Sequence, residues 1–269
     1  MSFAHRTASR RSPVVALMLA ALLGLGACAV PGPGEAPDGI FDPNEGANRR
    51  VHAFNKRLAG AVSGGNGPGV MSSLPTPVSA GVHNFADTVS LPQVVVNQVL
   101  QLRPGRALRN TARFTLNATA GVAGLFDVAT PLGLPEDDTD FGETLYVWGF
   151  PEGAYIELPV LGPNTEREAV GRIFDLFTDP LSYVIPTPDR YYVKAVRVGD
   201  KVLDVAENGD TIDALLDGSA DSYAQLRTIY LQNRRFELGD ESAGGSDYKP
   251  SIPGVMRQGQ PRLRHGLRQ

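Results

Sequence analysis

The 269-residue sequence holds a single cysteine, Cys28, and four histidines. One thiol closes no intramolecular disulfide and builds no cysteine zinc site. Positive charge is also missing: the formal net charge is −4, which argues against a nucleic-acid partner, since that grip needs a basic face to displace counterions. There is no Gly-x-Ser-x-Gly elbow, no His-Glu-x-x-His pair, no phosphate loop and no Gly-x-Gly-x-x-Gly turn. The chain therefore reads as a non-enzyme with no catalytic residues, no metal and no cofactor. Beyond residue 27 no apolar run reaches the roughly 18 residues that a membrane-spanning helix requires. Core-forming material is present, with 42% hydrophobic, 20% charged and 7% aromatic residues, so disorder throughout is excluded.

The first 27 residues have the build of a secretory leader. His5, Arg6, Arg10 and Arg11 form a positive start, and an apolar run follows from Val14 to Leu25. That run of about a dozen residues is too short to span a hydrocarbon core of about 30 Å. The junction Leu25-Gly26-Ala27-Cys28 resembles a bacterial lipobox, in which cleavage exposes the cysteine for acylation. Cys28 is thus the expected lipidation site. Ala29 and Val30 follow it without an Asp, which in the sorting scheme of such lipoproteins points to the outer membrane. Loss of residues 1–27 removes three arginines and no acid, leaving 22 basic residues against 29 acidic, a net of −7. Residues 28–40 read as anchor and flexible tether, 41–238 as the folded domain, and 239–269 as a disordered basic tail. For the tail the plainer reading is a solvated terminus, and the functional one is weak attraction to anionic lipid.

The folded domain is mainly α. Asp42-Pro43-Asn44-Glu45 is a helix start, with Asp as cap and Pro in the first position, and Ala47, Val51, Phe54 and Leu58 recur at helical spacing. A second stripe is Val78, Val82, Phe85 and Val89, broken at Pro92; a third is Val170, Phe174 and Phe177, closed by Asp179-Pro180. Residues 219–238 carry Tyr223, Leu226, Tyr230 and Leu231 along one side. Residues 141–161 fit either a hairpin of 144–150 with 154–160 or a short helix followed by an extended segment.

Residues 107–129 are the most unusual. Read as one helix, they place Asn117, Gly121 and Gly124 at i, i+4 and i+7, a small and polar stripe. Close helix packing explains such a stripe, and so does the wall of a narrow polar path. The carboxylates Glu136, Asp137, Asp138 and Asp140 lack the spacing of an EF-hand loop and read as a solvated acidic loop. His52, on a charged helix face, reads as a solvated imidazole.

Between Asp42 and Phe236 the residues carry a resemblance. DPNEGANR spans Asp42 to Arg49, with Phe54-Asn55 after it, and Asn84-Phe85, Pro92, Asn97 and Leu100-Gln101 follow. The densest run is Arg113-Phe114, Asn117, Thr119, Gly121, Gly124 and Asp127, then FGETL at Phe141 to Leu145 and Trp148-Gly149. Gly153, Tyr155, Leu158-Pro159, Leu161-Gly162-Pro163, Asp179-Pro180, Tyr223, Arg227, Tyr230, Gln232 and Arg234 complete it. In this order the motifs resemble the MlaA, or VacJ, family of outer-membrane phospholipid-transport lipoproteins of double-membraned bacteria. Arg167-Glu168 stands where the family usually has Arg-Asp, and the stretch from Leu58 to Pro77 departs from the longer basic and aromatic helix usual there.

The resemblance implies a ring-like assembly of amphipathic helices around a central channel, lying in the periplasm-facing leaflet, with Asn117, Thr119, Gly121, Gly124 and Asp127 as candidate channel or helix-packing residues. It implies removal of misplaced phospholipids from the outer leaflet, transfer to a soluble periplasmic carrier, and a trimeric porin as partner. Two other readings share the address: a structural scaffold lipoprotein, which needs no polar stripe, and a lipoprotein lipase, which needs an activated nucleophile.

Overall fold

A computed structural model of the protein describes residues 30–32, 34–36, 39–63, 74–217 and 219–239, without the side chains of residues 206 and 208–217. The leader, Cys28 and the tail beyond Gly239 lie outside the described residues. In chain order the elements are α1 (Glu45–Ser63), α2 (Thr76–Leu100), α3 (Pro104–Thr119), α4 (Phe141–Val147), β1 (Tyr155–Leu158), β2 (Gly162–Thr165), α5 (Glu166–Thr178), α6 (Leu181–Val184), α7 (Asp189–Asp217) and α8 (Ser222–Leu238). The fold is mainly helical, with one antiparallel two-stranded sheet in which Tyr155 pairs with Thr165 and Leu158 with Gly162.

Helices α2 and α3, joined through Gln101-Leu102-Arg103, pack along each other as a hairpin. The long α7 lies against both α1 and α2, and α4 lies against α5. Side chains at the start of α1 fasten it to α8: the Asp42 carboxylate accepts from Tyr223 Oη and Arg227 Nη1, each at 2.5 Å, and Arg49 donates twice to Asp221 at 2.9 and 2.7 Å. Asp42 is thus spent on tertiary bonds, and the helix begins at Glu45, two residues beyond Pro43.

Two asparagines seven residues apart on α1 complete the free edge of β1. Asn48 donates to Tyr155 O at 3.1 Å and accepts from Glu157 N at 3.0 Å. Asn55 donates to Leu158 O at 3.0 Å and accepts from Val160 N at 2.8 Å. A side-chain amide carries donors on its nitrogen and an acceptor oxygen, so it meets both the carbonyl and the N–H that an edge strand leaves unpaired.

The sequence reading requires correction at several points. Helix α2 does not break at Pro92 but runs through it. Proline removes an amide donor and loosens the preceding turn, and there the Arg197 guanidinium, reaching over from α7, donates to the Val89 carbonyl. Residues 107–129 are not one helix: α3 stops at Thr119, and Val122, Ala123 and Gly124 take positive φ. Of the two readings of residues 141–161, the hairpin is absent and the short helix followed by an extended segment is present, its strand pairing with 162–165. Residues 189–217, which the periodicity left unread, form the longest helix described.

Apolar burial is confined to small clusters. Phe141 and Leu145 pack with Phe150, Val170 and Phe174, the Phe141 and Phe174 rings stacking at 3.9 Å. Tyr155, Tyr223 and Leu231 form another, with Ile40 and Tyr230 against it. Val89, Leu91 and Val94 on α2 and Leu203 on α7 are buried apart from these clusters, and much of the remaining interior is polar.

Candidate polar lumen

The polarity of the protein is inverted. Asn97, Gln98, Asn110, Thr144 and Asn164 are completely buried, and Arg113, Arg167, Glu168, Asp200 and Arg234 nearly so. Meanwhile Leu102 is 87% exposed, Val184 76%, Leu108 72% and Val198 64%. Exposed apolar side chains taken singly mean little, but a buried polar set is informative, and here the two occur together.

Helix α3 turns one face inward: Arg106, Asn110, Arg113 and Asn117 follow each other at steps of four, three and four. This face clamps the loop from Leu134 to Asp140. Arg106 Nε donates to Asp137 at 2.8 Å and Arg109 to the same carboxylate at 3.1 Å. Asn110 and Gln98 donate to the Asp137 carbonyl at 2.6 and 2.9 Å, and Arg113 donates to Leu134 O. The acidic loop is therefore not the freely solvated one its composition suggested: Glu136 is exposed, but Asp137, Asp138 and Asp140 are partly buried. The α3 cations draw it to the centre of the fold.

Three chambers meet at Asp138. The first, about 180 Å3, lies between α2, α3 and α7 and is lined by Asp87, Arg113, Glu136, Asp200 and Lys201 among others. The second, about 300 Å3, continues toward α5 and α8 and shares Asp87, Glu136, Asp200 and Lys201 with the first. The third, about 410 Å3, lies between α2, α5 and α7 and has mostly apolar walls. Each is many times the ~10–15 Å3 that a water molecule needs. Burial, with the nearby Asp140 charge adding to it, pushes the Asp138 carboxyl up to about 7.

The wall of the second chamber is held by a buried ionic group. Arg234 donates to both Asp140 oxygens and to Glu168, all at 2.7 Å. Burial works against the Asp140 charge, but Arg234 and the Glu143 amide hold it below the usual carboxylate range. Burial and Asp140 push Glu168 above that range, with Arg234 opposing. The Arg167-Glu168 pair noted in the sequence thus supplies one of three acids, with Asp140 and Glu237, to one guanidinium.

Of the sequence-predicted residues, Asn117, Gly121, Gly124 and Asp127 come together, in the turn after α3 and not as a helical stripe, while Thr119 stands apart. Asn117 is buried and lines the first chamber. Its Oδ1 accepts from Val128 N and Ala129 N, both at 3.0 Å, and its Nδ2 donates to Asp127 at 3.1 Å. Burial opposes the Asp127 charge, but bonds from Thr130 and Asn117 and the Arg113 charge bring its carboxyl below the ordinary range. Gly124, at φ +94°, packs on Thr88, whose Cβ would lie 2.7 Å from an added side-chain carbon. A Cβ on Gly121 would meet the Asn117 carbonyl at 2.5 Å. A larger residue at Gly121 therefore tests the turn rather than the passage. Thr119 is exposed and bonds back to Thr115 O at 2.6 Å.

Outside the described residues lies Cys28. His52, contrary to the sequence reading, is buried, 3.3 Å from Glu157 Oε1 and 3.2 Å from Ser222 Oγ. These three stand in the order of a hydrolase relay. The imidazole lies edge-on to Tyr223, and none of the three chambers is lined by any member of the set. Its contacts join α1, β1 and α8.

Residues 40–237 match the MlaA lipoprotein family, nearly all of the described fold. The chain belongs to the MlaA family. The intermembrane phospholipid transport system lipoprotein MlaA of Escherichia coli K12 is 30% identical over 223 residues, covering 81% of this chain and 84% of that protein. An uncharacterised protein of Rickettsia bellii is 32% identical over 196 residues, covering 72% and 76%. A solved structure, described as the structural basis for maintenance of bacterial outer membrane lipid asymmetry, matches at a TM-score of 0.59 and 30% identity. The match covers 72% of this chain and 98% of that one.

The MlaA-family motifs acquire physical reasons from the contacts. Asn48, in the DPNEGANR run, and Asn55 complete the β1 edge. Asn97, Gln101 and Thr144 join one buried network, in which Gln101 donates to Thr139 at 2.7 Å and to Thr144 at 3.0 Å, and Thr144 to Asn97 at 3.2 Å. Sequence reasoning missed Arg106, Asn110, Asp138 and Arg197. The four-three-four spacing on α3 was the available signal for the first two.

Proposed function

We propose that this MlaA-family protein conducts phospholipids past the hydrocarbon layer of the outer membrane, through the charged lumen centred on Asp138, and so maintains lipid asymmetry. The inverted polarity carries the reading. A charged head group in hydrocarbon meets a desolvation penalty of several kcal/mol, which a lumen lined by Asp, Glu, Arg and Lys side chains offsets. The exposed Leu, Val and Tyr side chains of α3, α6 and α7 suit the acyl region and its interface. No described helix is long and apolar enough to cross a membrane, so the proposal has the helices half-inserted. No covalent step is needed; direction comes from lipid populations and from other components.

In this proposal Cys28 carries the acyl anchor, and the protein lies in the periplasm-facing leaflet. A trimeric porin holds it there, and a soluble periplasmic carrier receives the lipid. The folded part spans 41–238, between the tether and the basic tail. Replacing Cys28 by Ala is expected to leave the chain unanchored on membrane fractionation; normal outer-membrane recovery contradicts the anchor.

The test of the conduit is a plug. Ser90 lines the first and third chambers, and Ser90→Trp narrows both. Surface-exposed phospholipid, measured with a membrane-impermeant amine probe on intact cells, is expected to rise to the level seen without the protein, at unchanged protein abundance. A stable, correctly located plug variant with normal surface lipid favours a scaffold instead.

A further inference from the structure

We propose that the third chamber is a side portal that holds the phosphodiester of the passing lipid through Arg172 and Lys194. The inference rests on the conduit reading and adds to it a place of entry and a recognised chemical group. Both cations line this chamber, on α5 and α7 respectively; Arg172 stands where it meets the second chamber and its charge also reaches Asp140, but among the described residues neither cation makes a hydrogen bond or ion pair. The other basic residue, Arg197, pairs with Asp179 at 3.0 Å.

The chamber's acids are already engaged. Asp179 also accepts from Ser182 at 2.9 Å. Asp175 accepts from Gln93 at 2.6 Å, Asn97 at 2.9 Å and Phe141 N at 3.0 Å, and burial pushes its carboxyl up to about 6. Asp138 titrates near neutrality. Three carboxylates line the chamber with Arg172, Lys194 and Arg197, but none lies within ion-pair distance of Arg172 or Lys194, and phosphate oxygens are a natural complement for that pair. The walls suit the rest of a lipid: Leu176 and Val198 line the chamber and are 61% and 64% exposed, so they form an apolar rim at the surface. Toward the interior the chamber reaches Asp138 and the polar lumen. A phospholipid fits this gradient, with its phosphodiester between Arg172 and Lys194, its acyl chains leaving between Leu176 and Val198, and its head group facing inward.

The test uses the full chain in detergent and measures binding of phosphatidylglycerol, phosphatidylethanolamine and a diacylglycerol of the same acyl chains by native mass spectrometry. The double variant Arg172→Gln/Lys194→Gln is expected to bind both phospholipids about tenfold more weakly, the loss of a charge-assisted contact, with diacylglycerol binding and the circular dichroism spectrum unchanged. Returning Lys at 172 recovers most of the loss, and millimolar inorganic phosphate does not displace the lipid. An equal loss for diacylglycerol, or phospholipid binding equal to the native chain, overturns the portal. Displacement by inorganic phosphate overturns it too, in favour of a free-anion site. If the native chain binds neither phospholipid nor diacylglycerol, the conduit reading falls and the portal with it; native binding left intact by the double variant removes the portal alone.

Discussion

Asp138 shows what a single residue does in this fold. In an unfolded chain its carboxyl loses its proton near the ordinary value of 3.8, whereas in the folded protein burial and Asp140 hold the proton until about pH 7. Between those values the native state binds the extra proton, so this residue makes stability fall as pH rises through the window. Asp138→Asn is therefore expected to melt above the native chain by a margin that widens through the window, larger at pH 8 than at pH 5 and vanishing only below about pH 4. A constant difference at both values removes the assignment. At this scale the sequence was partly legible. Asn117 and Asp127 stood out by type and do meet. Asp138 was visible only as one of several acids in a row, because nothing local says whether water or Arg106 and Arg113 face that row. His52 failed for the same reason: its burial depends on Glu157 and Ser222, over a hundred positions away.

Among elements, α8 holds the wall of the second chamber through one guanidinium. Removing the cation of a buried ionic group leaves its acids uncompensated, at a cost of about 3–5 kcal/mol. Arg234→Met is accordingly expected to lower unfolding free energy by that amount in urea titrations. A loss under about 1 kcal/mol would mean that Asp140 and Glu168 find other partners, since that is the size of an exposed ion pair. Helices α1, α2, α5 and α8 were legible from their apolar period, yet the sense of the period was not. Phe54 and Val78, members of the apolar stripes, are each about half exposed, while Ser79 and His83 beside Val78 on α2 are buried. A stripe marks the face turned from water, and it reads the same whether protein or lipid lies against it. Helix α7 went unread because its apolar residues, such as Tyr191, Tyr192 and Val198, point outward and its Arg197, Asp200 and Lys201 point to the lumen. The end of α3 was equally hidden, since Gly121 and Gly124 fit a helix by spacing and a turn by conformation.

For the whole molecule the claim is that a hydrated lane runs inside an apolar ring. Composition could not disclose this, because 42% hydrophobic residues serve an ordinary core and a lipid-facing exterior equally well; only their placement separates the two. The exposed apolar residues on α3, α5, α6 and α7 and the charged residues around Asp138 are opposite halves of one arrangement, and each explains the other. The direct measurement places spin labels on the vesicle-bound full chain, at Ser90→Cys inside the lumen and at Leu108→Cys on the outer face of α3, and compares collisions with a water-soluble nickel chelate and with membrane-dissolved oxygen. The lumen label should collide with nickel and the outer label with oxygen. A lumen label shielded from nickel, or an outer label bathed in it, contradicts a hydrated lane through hydrocarbon.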